Sequence, residues 1–317
     1  MIQLAVVILN YRTPKLVIDC LASLASEIDI NHQTVIVVDN HSGDDSVPLI
    51  NQAITQHQWS WVQLLPSSVN GGFSAGNNLG IKAVEAEAYL LLNSDTIVRP
   101  GAIESLMSAL NDHPEAGIVS PRLEWPDTEP QISCFRYHSP LSELIDAAAT
   151  GPVTQLLKAF DVPIPVSETP IEPQWTSFAC VLIRREVIEK IGLMDEGYFM
   201  YFDDVDYCRR TQEAGWNILH WPQARIVHLR GGSGSVKSDV ASRRRPKPYL
   251  YASRSRYFAK FYGIMGLWIA NFCWLLGRSL SWGRELVGHK QPHTCQFQAQ
   301  DIWMNWKDPK QLPPVAK

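Results

Sequence analysis

Continuous apolar runs alternate with helically spaced ones over the first 120 residues. Leu4-Ala5-Val6-Val7-Ile8-Leu9 and Thr34–Asp39 lack polar alternation, as in strands buried on both faces of a parallel sheet. Trp61–Leu65 and Tyr89–Leu92 read as two more strands, and Ile118–Ser120 as a fifth. Thr13-Pro14 predicts a helix start with proline at the first helical position, and Leu16, Val17, Cys20, Leu21 and Leu24 then recur at helical spacing. Further helices are predicted over 46–56, from Asn70 to about Ala86, and from Pro100 to about Asn111. Strands and helices joined by short links predict parallel βαβ units, whose ligands bind beyond the carboxyl ends of the strands. Asn10, Asp39 and Asp95 all fall at such ends.

The pattern then changes. Trp125–Pro173 is proline-rich with little periodicity, and predicts an excursion from the sheet that is helical near Leu141–Ala149. Order returns with a strand over Trp175–Ile183, helices near Arg185–Ile191 and Asp204–Ala214, and short strands at Asn217–Trp221 and Arg225–His228. Gly263–Gly277 is apolar for about 15 residues, short of the ~20 of a membrane-spanning helix. Asn271, Arg278 and Glu285 share one helical face at seven-residue spacing. An amphipathic helix on a membrane surface or partner and a plain buried C-terminal helix both fit this segment.

Composition narrows the function. The 317 residues are 45% apolar and 19% charged with a net charge of −4, which excludes disorder and argues against a chain-wide grip on nucleic acid. None of the six cysteines forms a C-x-x-C pair, which argues against a zinc ribbon or a disulfide scaffold and predicts reduced thiols in a cytosolic setting. Met1-Ile2-Gln3 carries no positive side chain and the apolar run behind it is short, so no secretion leader is expected.

Three acidic stations could do chemistry. Asp39 could accept hydrogen bonds from a ribose or a base N–H, or cap its own turn. Asp95 could hold Mg²⁺ or Mn²⁺ against a diphosphate, or be a turn former beside Asn93 and Ser94. Asp203, Asp204 and Asp206, flanked by Phe199, Met200, Tyr201 and Phe202, suit a general base, since like charges raise a carboxylate pKa. The same acids suit a helix start. His228 precedes the loop Gly231–Ser235, which could order over a phosphate; a satisfied core histidine is the alternative. Arg243, Arg244, Arg245, Lys247, Arg254, Arg256 and Lys260 form a basic cluster suited to a diphosphate, to anionic lipid, or to no more than a solvated loop.

Taken in order, these stations resemble the inverting glycosyltransferases of family 2, which have the GT-A fold, and within them bacterial rhamnosyltransferase-type members. Val7–Tyr11 resembles the first-strand motif, placing Asn10 and Tyr11 beside the nucleotide base. Val38–Asp44 resembles the second nucleotide motif, making Asp39 a ligand of the base. The stretch Asn70-Gly71-Gly72-Phe73-Ser74-Ala75-Gly76-Asn77-Asn78 resembles the glycine-rich segment alongside the nucleotide sugar, and implicates Asn70, Gly71, Gly72 and Asn77 in donor binding. Leu92-Asn93-Ser94-Asp95 takes the place of the D-x-D metal motif, with uncharged Asn93 where relatives carry its first acid. Gly192–Glu196 with Phe202–Asp206 resembles the acceptor-side motif, with Asp203 where glutamate is usual and Asp204 at the position of the base. Val227-His228 resembles the later metal-ligand histidine.

The resemblance implies an α/β, mostly parallel GT-A-like sheet flanked by helices, with a C-terminal amphipathic helical extension. The transferase domain would span 1–262: a nucleotide half (1–120), a variable insert (121–174) and an acceptor half (175–262), followed by helix and tail at 263–317. It implies transfer of a sugar from a nucleoside diphosphate sugar to an acceptor hydroxyl with inversion, in polysaccharide, O-antigen or glycolipid synthesis. Asp204 would act as base with Asp203 beside it, and Asp95 and His228 would hold Mg²⁺ or Mn²⁺. Asn93 would lie against the donor, and Arg254 would offset charge on the leaving diphosphate. Expected partners are the donor, a glycan or lipid-linked acceptor, and an anionic membrane on whose inner face a cytoplasmic enzyme sits peripherally; no nucleic acid is expected. A non-catalytic lipid- or partner-binding protein of the same fold is the rival. A sugar-nucleotide pyrophosphorylase is discounted, because Asn10–Pro14 occupies the place of its glycine-rich, basic loop.

Overall fold

The computed structural model describes residues 2–231, 236–288 and 291–312, and they fall into two compact units. Unit 1 comprises Met1–Phe135, Pro165–Glu196 and Asp204–Ser233; unit 2 comprises Arg136–Ile164, Gly197–Asp203 and Gly234–Lys317. This division differs from the boundary expected near residue 262, because part of the insert and the segment leading into the acidic triplet group with the C-terminal region.

In unit 1 the elements are β1 (Ile2–Asn10), α1 (Pro14–Leu24), β2 (Gln33–Asp39), α2 (Ser46–Gln56), β3 (Val62–Pro66), α3 (Gly72–Lys82), β4 (Ala86–Asn93), β5 (Thr96–Val98), α4 (Ala102–Asp112), β6 (Ala116–Glu124) and β7 (Cys134–Phe135). After an excursion through α5 (Pro140–Ala148) and α6 (Gly151–Leu156) come β8 (Trp175–Thr176), β9 (Cys180–Arg184), α7 (Arg185–Ile191), α8 (Asp203–Glu213) and β10 (Asn217–His228). The sheet order is β3-β2-β1-β4-β9-β6-β10-β5. The β1–β2, β1–β4, β2–β3 and β6–β10 pairs are parallel, while β9 and β5 run antiparallel to their neighbours. The strand expected over 175–183 is split at residues 177–179, and the two short strands expected after 217 are one, β10.

The unbroken apolar run of β1 follows from burial on both faces. Leu4, Val6 and Ile8 join α1, α2 and α4 in one apolar cluster, whereas Val7 and Leu9 face α3. Gly76 and Gly80, one turn apart on α3, sit so close to Leu9 and Val7 that an added Cβ would overlap those side chains. Gly76, within the segment read as donor-binding, thus serves helix–sheet packing, as does Gly80 just beyond that segment. The parallel register sets Asn10 beside Asp39 and Leu9 beside Asn93, which gathers the polar strand ends at one edge.

Unit 2 holds α5, α6, α9 (Val236–Ala241), α10 (Pro248–Gly288) and α11 (Gln298–Asp301). A reciprocal capping box between Ser139 and Ser142, with Pro140 in the first turn, starts α5. Gly263, at φ 71°, breaks α10 into two helical stretches, and the second runs on to Gly288, well past the expected 277. It crosses α5 closely: a Cβ on Gly277 would overlap the Leu144 carbonyl. All six cysteines are free, and burial pushes the Cys20 and Cys134 thiols up to about 12, which leaves them protonated and unreactive at neutral pH.

Candidate active site

The first station is a polar knot at the ends of β1 and β2. Buried Asn10 donates through Nδ2 to Asp39 Oδ1 at 2.7 Å, and the Ser42 hydroxyl donates to the same oxygen at 2.6 Å. Asp39 Oδ2 accepts the Ser42 backbone N–H at 3.1 Å. Asp39 therefore caps its own turn, and a carboxylate with about four lone-pair sites keeps one on Oδ2 after these three bonds. Arg12 was not singled out in the sequence. Its backbone is left-handed (φ 59°), its Nε donates to the Ser42 carbonyl at 2.9 Å, and its guanidinium lies 5.2 Å from the Tyr11 ring centre. Tyr11 and Arg12 so present one aromatic and one cationic surface beside Asp39.

The knot extends to the second station. Asn10 Oδ1 accepts from the Thr13 hydroxyl, which is 3.2 Å from the Ser94 hydroxyl. Next to Ser94, the buried Asp95 is tied to β10, since its carbonyl accepts the Leu229 N–H at 2.9 Å. The pairing of β5 with β10 brings His228 to Asp95 across 133 residues of chain (228 − 95): His228 Nε2 stands 3.5 Å from Asp95 Oδ1. That separation is long for a hydrogen bond. His228 is buried, and its Nδ1 has no hydrogen-bond partner among the described residues. Gln131, in the stretch read as a variable insert, fixes the strand end by donating to the His228 carbonyl at 2.7 Å. Among the described residues no third His, Cys, Asp or Glu side chain joins the pair as a metal cluster.

The glycine-rich segment joins the first station to residues 194–196. Asn40 donates to Asn70 Oδ1 at 2.9 Å and to the Gly72 carbonyl at 3.0 Å, which ties the start of α3 to the Asp39 turn. Gly72 takes φ 82°, a left-handed backbone that favours glycine. Asn77 donates to the Phe73 carbonyl inside its own helix. Asn78, unassigned from sequence, pairs with the backbone of Met194 through both ends of its amide, at 2.9 and 3.0 Å, and also donates to Glu196. Residues 191–193 are held in turn by α8: Arg210 donates to the Ile191 and Leu193 carbonyls, and the Tyr207 hydroxyl to that of Gly192.

The three acids of α8 have separate places. Asp206 is buried and paired with Arg210 at 2.7 Å, a structural anchor. Asp203 is also buried, whereas Asp204 is only half-buried and accepts the Val205 N–H at 2.9 Å. Tyr201 and Phe202, just before α8, both have left-handed backbones (φ 69° and 63°), a conformation of order 1–3 kcal/mol per residue that surrounding structure must hold. Within unit 2 the Ser253 hydroxyl donates to the Met200 carbonyl at 3.1 Å, and the Phe202 ring packs on His138 and Tyr257.

Arg254 lies in unit 2, away from the role expected of it. Its buried guanidinium donates twice to Glu143, once to Asn271 at 2.7 Å and once to the Ile302 carbonyl, and covers the Phe258 ring. These bonds make it a core ion pair, and the diphosphate role is withdrawn from it. The basic cluster is likewise divided: Arg244 pairs with Asp239 and Arg245 with Asp301, acids distant in sequence or across a helix end. The loop expected to close over a phosphate lies outside the described residues beyond Gly231.

A family model described as glycosyltransferase-like family 2 matches residues 3–247, most of the chain and every station above. The chain belongs to that family. The transferase is 29% identical over 282 residues to the N-acetylglucosaminyl-diphospho-decaprenol L-rhamnosyltransferase of Mycobacterium tuberculosis, covering 84% of this chain and 85% of the relative. It is 24% identical over 223 residues to the dTDP-rhamnosyl transferase RfbF of Shigella flexneri, covering 68% and 66%. Its structure resembles the Pyrobaculum calidifontis mannosyltransferase PcManGT in complex with GDP-Man and Mn²⁺, with a TM-score of 0.58 and 13% identity over 92% of this chain and 77% of the other. The fold is accordingly GT-A-like.

Proposed function

We propose that the transferase moves a deoxyhexosyl group, rhamnosyl foremost, from a nucleoside diphosphate sugar to a hydroxyl of a lipid-linked glycan, with inversion at the anomeric carbon. The observation that carries this reading is the pairing of Asp95 with His228 at the end of a hydrogen-bonded path that begins at Asp39. The names of the two rhamnosyltransferase relatives support the choice of sugar and, for one of them, a lipid-linked acceptor.

In this reading Tyr11 and Arg12 flank the base, and Asp39 offers its remaining lone pair to a base N–H. The start of α3 at Asn70–Gly72 lies alongside the sugar. Asp95 and His228 suit Mn²⁺ or Mg²⁺: a carboxylate oxygen and an imidazole nitrogen face each other at 3.5 Å, too far for a good hydrogen bond. A divalent ion there would offset the charge gained by the leaving diphosphate. With Asn93 neutral, Asp95 supplies the only negative side chain of its motif. Asp204, the accessible acid of the triplet, takes the proton of the acceptor hydroxyl, and Asp203 lies beside it. One displacement gives inversion, so no enzyme nucleophile is required.

Donor identity is tested by thermal shift in Mn²⁺ with dTDP-rhamnose, GDP-mannose and UDP-N-acetylglucosamine. The expected result is the largest rise in Tm with dTDP-rhamnose; a ligand at about 100 times its Kd stabilises by roughly 2.7 kcal/mol. A larger shift with either of the other two reassigns the sugar.

A further inference from the structure

The stretch of α10 beyond Gly263 is apolar on its outward side as well as on its inward one. Its inward side buries Leu267, Ala270 and Trp274 together with Asn271, Ser281 and Glu285, and Arg278 bridges Glu285 at 2.8 Å and Ser281 at 2.9 Å. Its outward side carries Met265, Ile269, Phe272, Leu276, Leu280 and Val287, spaced by threes, fours and one seven, with Met265 78% and Phe272 66% exposed. No Asp, Glu, Lys or Arg occurs from 264 to 277. A helix against water puts its polar stripe outward. A continuous apolar stripe facing out marks a surface that something covers.

We propose that this face of α10 is an interfacial anchor that lies in the headgroup–acyl boundary of an anionic bilayer. Two features choose a bilayer as the occupant. The first is the rim. Trp268 packs edge-on against Trp303 at 5.3 Å and Trp306 at 5.2 Å, and the Lys307 ammonium lies 5.3 Å from the Trp306 ring centre. Tryptophan with a neighbouring cation is the chemistry of the membrane–water interface, where the ring sits at headgroup level and the charge meets lipid phosphate. Exposed Arg284 adds a cation further along the helix. The second feature is the docked side. The helix is apolar and long enough to cross a bilayer, but its polar stripe is packed within unit 2, with Gly277 against the α5 backbone. A crossing helix would have to be stripped from that packing; one lying flat keeps it and offers the lipid only its outward face.

The test is flotation of the full chain with vesicles of phosphatidylcholine, alone or with about one-third phosphatidylglycerol, against a Phe272→Glu/Leu276→Glu double variant. The expected result is that the wild type floats with the anionic vesicles and less with the neutral ones. The double variant should lose at least about ten-fold in vesicle partition. Its circular dichroism and donor-induced thermal shift should stay at wild-type values, since neither side chain supports the fold or the donor site. Wild-type protein that stays at the bottom of the gradient with both vesicles overturns the proposal. So does a dimer on gel filtration that the double variant converts to monomer, because a second copy would then be the occupant. Either failure leaves donor binding, and with it the transferase reading, to be judged separately.

Discussion

Asp204→Asn is expected to lower kcat for sugar transfer by about 10²–10⁴-fold while donor affinity stays unchanged, the loss typical of a removed general base. Asparagine keeps the shape of the side chain and an oxygen for the Val205 N–H, so the start of α8 should be preserved. What disappears is the group able to take the acceptor proton. Its neighbours supply the contrast. Asp206 is buried against Arg210, which also holds the Ile191 and Leu193 carbonyls, so Asp206→Asn should show itself mainly as a lower Tm. Steady-state kinetics with saturating donor, alongside calorimetric donor binding, separates the cases. Near-normal kcat in Asp204→Asn would place the base elsewhere.

The second large effect concerns the donor. Asp95→Ala and His228→Ala are each expected to raise the donor Kd on the order of 10–100-fold in Mn²⁺, since even outer partners of a metal ligand are worth that much. The gap from wild type should close when a chelator is present, because all three proteins would then bind without the ion. Asp95 should be the more damaging loss, as neutral Asn93 leaves no second charge in its motif. Donor titrations with and without chelator provide the check. A wild-type enzyme indifferent to chelator would remove the metal from Asp95 and His228.

What could be read from sequence was whatever is local. The runs at Leu4–Leu9 and Thr34–Asp39 are unbroken because both faces of β1 and β2 are covered, so their identity and the polar residues at their ends were legible. The direction of β9 was not, since an apolar run looks the same parallel or antiparallel, and β5 is too short to leave a pattern. The stations contributed by β1, β2 and β4 were therefore visible. Gln131, which secures the His228 end of β10, was hidden as a single polar residue in a proline-rich stretch. Arg254 misled for a related reason: its charge was counted within a basic run, but its partner Glu143 lies 111 residues upstream. Asn78 looked like one more polar residue of a glycine-rich motif, and only the fold reveals Met194 against it. In the C-terminal region the seven-residue spacing of Asn271, Arg278 and Glu285 marked one face, and that face, shared with Leu267 and Trp274, is the one turned inward.

A single displacement driven by Asp204 has one direct chemical consequence. The anomeric configuration of the product, measured by NMR on material made with the preferred donor and a lipid-linked glycan acceptor, should be opposite to that of the donor. Retention of configuration would require two displacements and an enzyme nucleophile, and would contradict the account.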